Sequence, residues 1–247
     1  MSTLDRLAAL FRPATGRLHL PGPPPLEVVL RRSARARRMS LRVSRIDGAA
    51  TLTLPPRVPE REAMAFLAAQ EGWLRRATAA MPVGHAVGHG TVLPVEGQAL
   101  RLLPGPGRSV RIEGDSLIVP GLPGAAGARV AAWARARARD RLAAACDRHA
   151  ATLGRRYTSL VLRDTRSRWG SCSSAGRLMF SWRLILAPPR VLDYVAAHEV
   201  AHLARMDHSP AFWATVAALV PDYATHRAWL KAEGNALHAF RFADAGD

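Results

Sequence analysis

The stretch from His198 to His208, HEVAHLARMDH, places three histidines and one carboxylate at the spacing a catalytic zinc site requires. At about 100° per residue, four helical steps bring His202 back to nearly the face of His198, so two imidazoles can share one tetrahedral ion. Glu199 follows the first of them, where a carboxylate can take a proton from a metal-bound water. His208 is a different case. On a straight helix it would point roughly 240° away from His202, so it reaches the ion only if the chain turns. Ser209-Pro210, an N-cap and first-turn pair, predicts that turn and a new helix through about Leu219. Three protein ligands leave a fourth position for water, the catalytic rather than the structural pattern. Asp222, His226 and Glu233, on a later helix, compete for the third place, with His208 favoured. Asp193 and Asp207 are near enough in sequence to orient an imidazole, or are solvated helix charges. A bare HExxH also occurs as a core pair or a solvated face. Here Val191, Leu192, Val195, Val200 and Leu203 make the helix apolar around the motif, where an unliganded Glu-His-His cluster would be costly.

The elements that must position these residues follow from patterning. Residues 1–25 read as a flexible arm, a short amphipathic segment followed by Pro13, Pro21, Pro23, Pro24 and Pro25, which forbid regular helix. LEVVL, RMSLRVS and ATLTLP predict three strands, with Asp47-Gly48 a hairpin turn between the last two. Pro59 to Ala80 predicts one amphipathic helix covering them. TVLPVEG, ALRLLPG, SVRIEG and SLIVPG predict a second small antiparallel unit, and the GLPGAAGA stretch from Gly121 reads as a joint. Beyond it, Arg129 to about Leu153 is a helix without internal Gly or Pro. SLVLRDT and RLMFSWRLIL, at 159–165 and 177–186, predict two strands linked by RSRWGSCSSAG, and Pro188-Pro189 stops the second. A helix from about Arg190 to Ala204 carries the histidines, and a last helix runs from about Asp222 to Glu233.

Size and composition set the class. The 247 residues, 49% of them hydrophobic, are enough for one large domain or two small ones. No apolar run reaches eighteen residues, and the start, MSTLDRLAALFRPATGR, is too short and too interrupted for a secretory apolar region, so a cytoplasmic protein without a membrane partner is expected. Cys146 and Cys172 are too few for a disulfide framework or a separate cysteine-based zinc module. The net charge of +16 would ordinarily indicate a polyanionic partner. Lys231 is the only lysine, however, and an arginine excess in a chain rich in Ala, Gly and Pro is what a GC-rich coding sequence produces without selection for binding.

RWGSCS at Arg168 to Ser173, SWRLILAPPRVLDYV at Ser181 to Val195 and HEVAHLARMDHSPAFW at His198 to Trp213 together resemble the YgjP-like metallopeptidase family, and more distantly the SprT-like and Wss-type zinc proteases. Weaker resemblance extends to LRRSARARRMSLRVS and to EGWL at Glu71 to Leu74. The resemblance implies one zinc ion on His198, His202 and His208, Glu199 as general base, and a peptide or protein substrate of unspecified kind. The expected fold is α+β: a zincin-like catalytic half over 125–240, with a small antiparallel sheet, the HExxH helix and following helices, preceded over 26–124 by a β-rich half with one covering helix. In such a fold an extended substrate adds to the strand before the zinc helix, here RLMFSWRLIL. Trp169, Arg183 and Tyr194 are candidate substrate-binding residues, with Tyr194, Tyr223, His226 and Arg183 as candidate oxyanion donors; a packed core or surface role is the simpler reading of each. Cys172 reads as a small buried hydrophobe rather than a regulatory ligand.

Two other functions fit parts of the chain. His-x3-His-x5-His is also the spacing of YbeY-type metal-dependent endoribonucleases, whose pattern lacks a glutamate after the first histidine. Metzincins share it too, but their glycine after the second histidine is Arg205 here. A nonenzymatic nucleic-acid-binding module would centre on Arg31, Arg32, Arg35, Arg37, Arg38, Arg42 and Arg45, although a solvated face is the commoner origin of such a run.

Overall fold

Strict alternation of apolar and polar residues decides the first sheet. In the computed structural model, which describes residues 16–44, 48–79 and 84–242, strands β1 (Arg17–Leu20), β2 (Leu26–Arg32), β3 (Ser40–Val43) and β4 (Ala50–Leu54) lie in the order β1-β2-β4-β3. Leu18, Leu20, Leu26, Val28, Leu52 and Leu54 share one buried face, and Ala63, Leu67 and Leu74 of two helices, α1 (Glu60–Ala69) and α2 (Glu71–Ala79), complete that core. Residues 17–20 of the expected arm are thus a strand. Leu18 and Leu20 alternate with Arg17 and His19, so pairing with β2 buries only the leucines. The single helix expected over Pro59–Ala80 is two, because Gln70 leaves helical geometry at φ −100° and ψ 3°, just before Gly72. β3 and β4 pair antiparallel around the expected turn, where Gly48 has φ +68°. The amphipathic segment before Pro13, Arg45 and Asp47 lie outside the described residues.

A second compact unit begins at Gly84. A short strand β5 (His85–Ala86) opens it and a four-stranded sheet follows, β6 (Val92–Val95), β7 (Gln98–Pro104), β8 (Arg111–Glu113) and β9 (Ser116–Val119), in the order β6-β7-β9-β8. The sheet is mixed, since β7 and β9 run parallel, whereas adjacent hairpin signals predict only antiparallel pairs. Leu93, Leu100, Leu102, Leu117 and Val119 share one core with α3 (Ala126–Thr152) and with the histidine-bearing elements. The compact division therefore falls at Val83 and Gly84, while patterning suggests one near residue 125. The stretch from Gly121 leads through a 3-10 turn at Pro123–Ala125 directly into α3. Along α3, Val130, Ala134, Ala138, Leu142, Ala145 and Cys146 form a buried stripe, mostly of small side chains that let neighbouring segments approach closely.

Three strands precede the histidine helix: β10 (Ser159–Arg163), β11 (Gly170–Cys172) and β12 (Arg177–Ser181), in the order β10-β12-β11. β12 is parallel to β10 and antiparallel to β11, so this sheet is mixed rather than antiparallel. The strand expected to reach residue 186 stops at Ser181. Trp182–Leu186 coils into 3-10 turns with all five residues buried, Arg183 included, so the segment lacks the two-sided alternation of a half-buried strand. Helices α4 (Pro189–Ala201), α5 (Pro210–Leu219) and α6 (Tyr223–Glu233) follow, and β13 (Phe240–Arg241) pairs parallel with β5. The architecture is mixed α+β. Among the described residues no helix is long and apolar enough to cross a membrane.

Candidate metal centre

Helix α4 begins at Pro189, already fixed in helical φ, and ends with His202 as its C-cap. His198 and His202 therefore sit one turn apart on the last turn of a buried helix. The chain then leaves the helix: Leu203 and Ala204 donate to Val200 and Ala201 through tightened bonds, and Ser209 caps α5 by accepting from the Phe212 amide. This turn swings His208 back. Its Nε2 lies 3.3 Å from His198 Nε2, and one nitrogen from each of His198, His202 and His208 falls within 4.8 Å of the others. Two nitrogens bound at 2.0–2.1 Å to a tetrahedral zinc stand about 3.3–3.4 Å apart, so the closest pair already has the separation of co-ligands. His202 Nδ1 donates to the Arg205 carbonyl at 2.9 Å, which fixes the tautomer and leaves Nε2 as a lone pair. Burial, with the neighbouring His202 and His208, pushes His198 down to about 4, and burial lowers His202 as well. Three imidazoles converging without a carboxylate between them fit a divalent cation.

Glu199 is 6% exposed, and burial raises its carboxyl to about 8 against the opposing charge of Arg168. Its carboxylate rests on the β11 backbone. A Cβ placed on Gly170 would lie 2.5 Å from Glu199 Oε1 and 2.6 Å from its Cγ, so any larger residue there must displace the Glu199 side chain or β11. Close approach at Gly170 is legible in the motif; the partner in that approach is not. β11 is one of the two edge strands of its sheet, β10 being the other, because β12 is paired on both sides. A substrate strand cannot add to β12, contrary to the expectation drawn from zincin-like folds; of the two edges, β11 is the one beside Glu199.

Aromatic rings wall the histidines. Phe212 stacks on His202 at 4.5 Å, Trp213 is 5.6 Å from His198, and Tyr223 stacks on Trp213 at 5.4 Å and on Tyr194 at 6.4 Å. Tyr194 is buried, 6.0 Å from the His198 ring, and burial pushes its phenol up to about 12. Trp169 stacks on His238 at 4.8 Å and, with Tyr223, Arg227, Leu230 and Lys231, lines a groove of about 580 Å³. Phe212, Trp213 and Arg227, whose guanidinium lies 4.6 Å over Trp213, went unassigned in the sequence. SPAFW was the available signal, with two aromatic rings in the first turn of a capped helix.

The remaining candidates lie elsewhere. Arg183 is 7% exposed, binds both Asp164 oxygens at 2.6 and 3.1 Å, and donates to the Leu237 and Phe240 carbonyls. That leaves it a core tie rather than a substrate contact. Asp222 pairs with His226 at 2.9 Å, and neither joins the histidine cluster, nor does Glu233. Asp193 binds His149 and Arg148, and Asp207 accepts from the Ser209 amide and hydroxyl, so neither orients a cluster imidazole. Burial raises the Cys172 thiol to about 11, which keeps it a neutral thiol at ordinary pH.

Half-buried His198 and buried His202 on α4, the turn that returns His208 and the adjacent carboxylate make an arrangement of the metallopeptidase type. The sequence model of the family described as YgjP-like, metallopeptidase domain, matches residues 37–233, and the chain belongs to that family. No curated protein and no solved structure matches the chain. The endoribonuclease reading receives no support from these comparisons.

Proposed function

We propose that the protein is a zinc-dependent peptidase whose ion is held by His198, His202 and His208 and whose general base is Glu199. The observation that carries this reading is the 3.3 Å approach of His208 Nε2 to His198 Nε2 beside a buried carboxylate. A divalent ion bound there would polarise a carbonyl and lower the pKa of water. The Glu199 carboxylate takes a proton from the attacking water and later returns it to the leaving amine nitrogen. A cation on the histidines favours the ionised form of Glu199, opposing the effect of burial. Gly170 holds the carboxylate against the β11 backbone, and the β11 edge takes the substrate main chain as an added strand. Trp169 and Tyr223, on the groove walls, take substrate side chains; Tyr194 braces Tyr223 from within the core.

Metal analysis of the purified protein, paired with a broad peptide-cleavage screen of wild type and Glu199→Gln, tests this. Stoichiometric zinc in both proteins is expected, with cleavage lower in the variant by about 10²–10⁴-fold, the usual contribution of a general base. Cleavage undiminished in Glu199→Gln would remove Glu199 from the mechanism. RNA cleavage surviving the same substitution would replace the peptidase reading altogether.

A further inference from the structure

Among the described residues, one face of the first unit's sheet is exposed, and the unit's charge is not shared evenly with the rest of the chain. Residues 1–83, about a third of the length, hold fourteen arginines against six carboxylates; residues 84–247 hold twenty-one lysines and arginines against thirteen. Each part thus contributes +8. On the sheet, leucines face α1 and α2, while Arg17, His19, Glu27, Val29, Arg31, Ser40, Arg42, Thr51 and Thr53 alternate onto the other side. Glu27 is the only carboxylate among them, and Arg17 takes it at 2.7 Å. Arg31 and Arg42 on the strands, and Arg35, Arg37 and Arg38 in the loop between β2 and β3, are exposed, and among the described residues no ion pair or hydrogen bond engages their guanidinium groups. Arg32 differs, since its guanidinium is held by the carbonyls of Pro55, Pro56 and Val58.

Register sets the spacing of the free charges. Arg31 is level with Thr53 and Ser40, and Arg42 is level with Thr51 and Val29, two strands across and two residues along. Strand separation near 4.8 Å and a rise near 3.3 Å place their Cα atoms about 12 Å apart. That is about the width of the B-form major groove, so the two arginines, extended straight out from the sheet, would meet phosphates on its two sides. The narrow major groove of A-form RNA does not match it. Among the described residues no Phe, Tyr or Trp stands on this face, so they offer no stacking platform for unpaired bases.

We propose that the open sheet face of the first unit, with Arg31, Arg35, Arg37, Arg38 and Arg42, binds duplex DNA through its phosphate backbone without reading sequence. This is independent of the peptidase reading and survives its failure.

The test is anisotropy of a labelled 20-base-pair DNA duplex with the full chain. Five phosphate contacts predict a slope of log K against log salt of about −4.5, hence about 500-fold weaker binding at 200 mM than at 50 mM salt. Changing all five arginines to Gln should bring the slope near zero. Changing Arg101, Arg108, Arg155, Arg156 and Arg163, exposed in the second unit, should leave it unchanged. Should the five-fold variant fold poorly by circular dichroism, the loop triple Arg35→Gln, Arg37→Gln and Arg38→Gln leaves every strand intact and should lessen the slope by about 2.7. Equal losses in the second-unit variant would assign binding to overall charge and overturn the proposal. Binding of single-stranded DNA, duplex RNA or heparin as tight as that of the DNA duplex would overturn it as well.

Discussion

Two histidine assemblies flank helix α4, and they are built on opposite principles. On one side His198, His202 and His208 bring nitrogens within 4.8 Å of each other with no carboxylate among them. On the other, His149 of α3, 7% exposed, meets Asp193 at 3.0 Å, and Arg148 reaches the same carboxylate at 2.6 Å. Burial alone would raise Asp193, but the His149 hydrogen bond and the surrounding positive charges hold it below the usual carboxylate range. The second assembly satisfies itself and ties α3 to α4. The first has no carboxylate to complete it, and on the proposed reading a divalent cation does so. A buried histidine therefore signals metal chemistry only when its polar partners are other ligands.

The contrast can be broken most directly at the ligands. His198→Ala should abolish stoichiometric zinc binding, read by elemental analysis, whereas His149→Ala should retain it. Metal retention in the first or loss in the second would erase the distinction. Next in size is Gly170→Ala. The added methyl must displace Glu199 or β11, so peptide cleavage should fall severely, with about 1–3 kcal/mol of stability lost to overpacking and zinc still bound. Normal turnover in this variant would show that the Glu199 position against β11 is dispensable.

His149→Ala should itself cost about 1–3 kcal/mol in denaturant unfolding, because it strips a buried hydrogen bond from Asp193. Arg148 remains to hold the carboxylate, which keeps the loss near the lower end. The smallest effect is on acid stability. Asp193 has a folded pKa below its ordinary 3.8, so its contribution is full above that value and is lost as pH falls through the lowered one. In metal-free protein, Asp193→Asn should make the stability loss below pH 3.8 shallower while leaving the pH dependence above pH 5 unchanged. An unaltered acid limb would mean that the Asp193 pairing contributes nothing to acid stability.

Much of the site was readable because it is local. The i, i+4 pair in HEVAH requires only helical periodicity, and Ser209-Pro210 marks its own helix start. Elements governed by partners distant in sequence were read less well. β1 is invisible as a strand until β2 supplies hydrogen bonds to the proline-flanked RLHL. The parallel pairs β2 with β4, β7 with β9 and β10 with β12 all involve a strand inserted between two others, which hairpin signals cannot reveal. RLIL carries strand-like residues, yet burial on every side coils it into 3-10 turns. Arg183 looked available because its partners, Asp164 and the carbonyls of Leu237 and Phe240, come from both ends of the catalytic region.

By itself, the sequence determined that His198, Glu199 and His202 share the end of one apolar helix and that the helix must stop before Ser209, since backbone hydrogen bonding repeats over four residues and Ser-Pro caps the next helix. Only the tertiary structure decided that the turn brings His208 to 3.3 Å from His198, that Gly170 cradles Glu199, and that β12 is the central strand with β11 an edge beside Glu199. The physical reason is range: helix periodicity and capping act between neighbours, whereas strand order and close packing are set by segments tens of residues apart competing for the same hydrogen bonds and the same core.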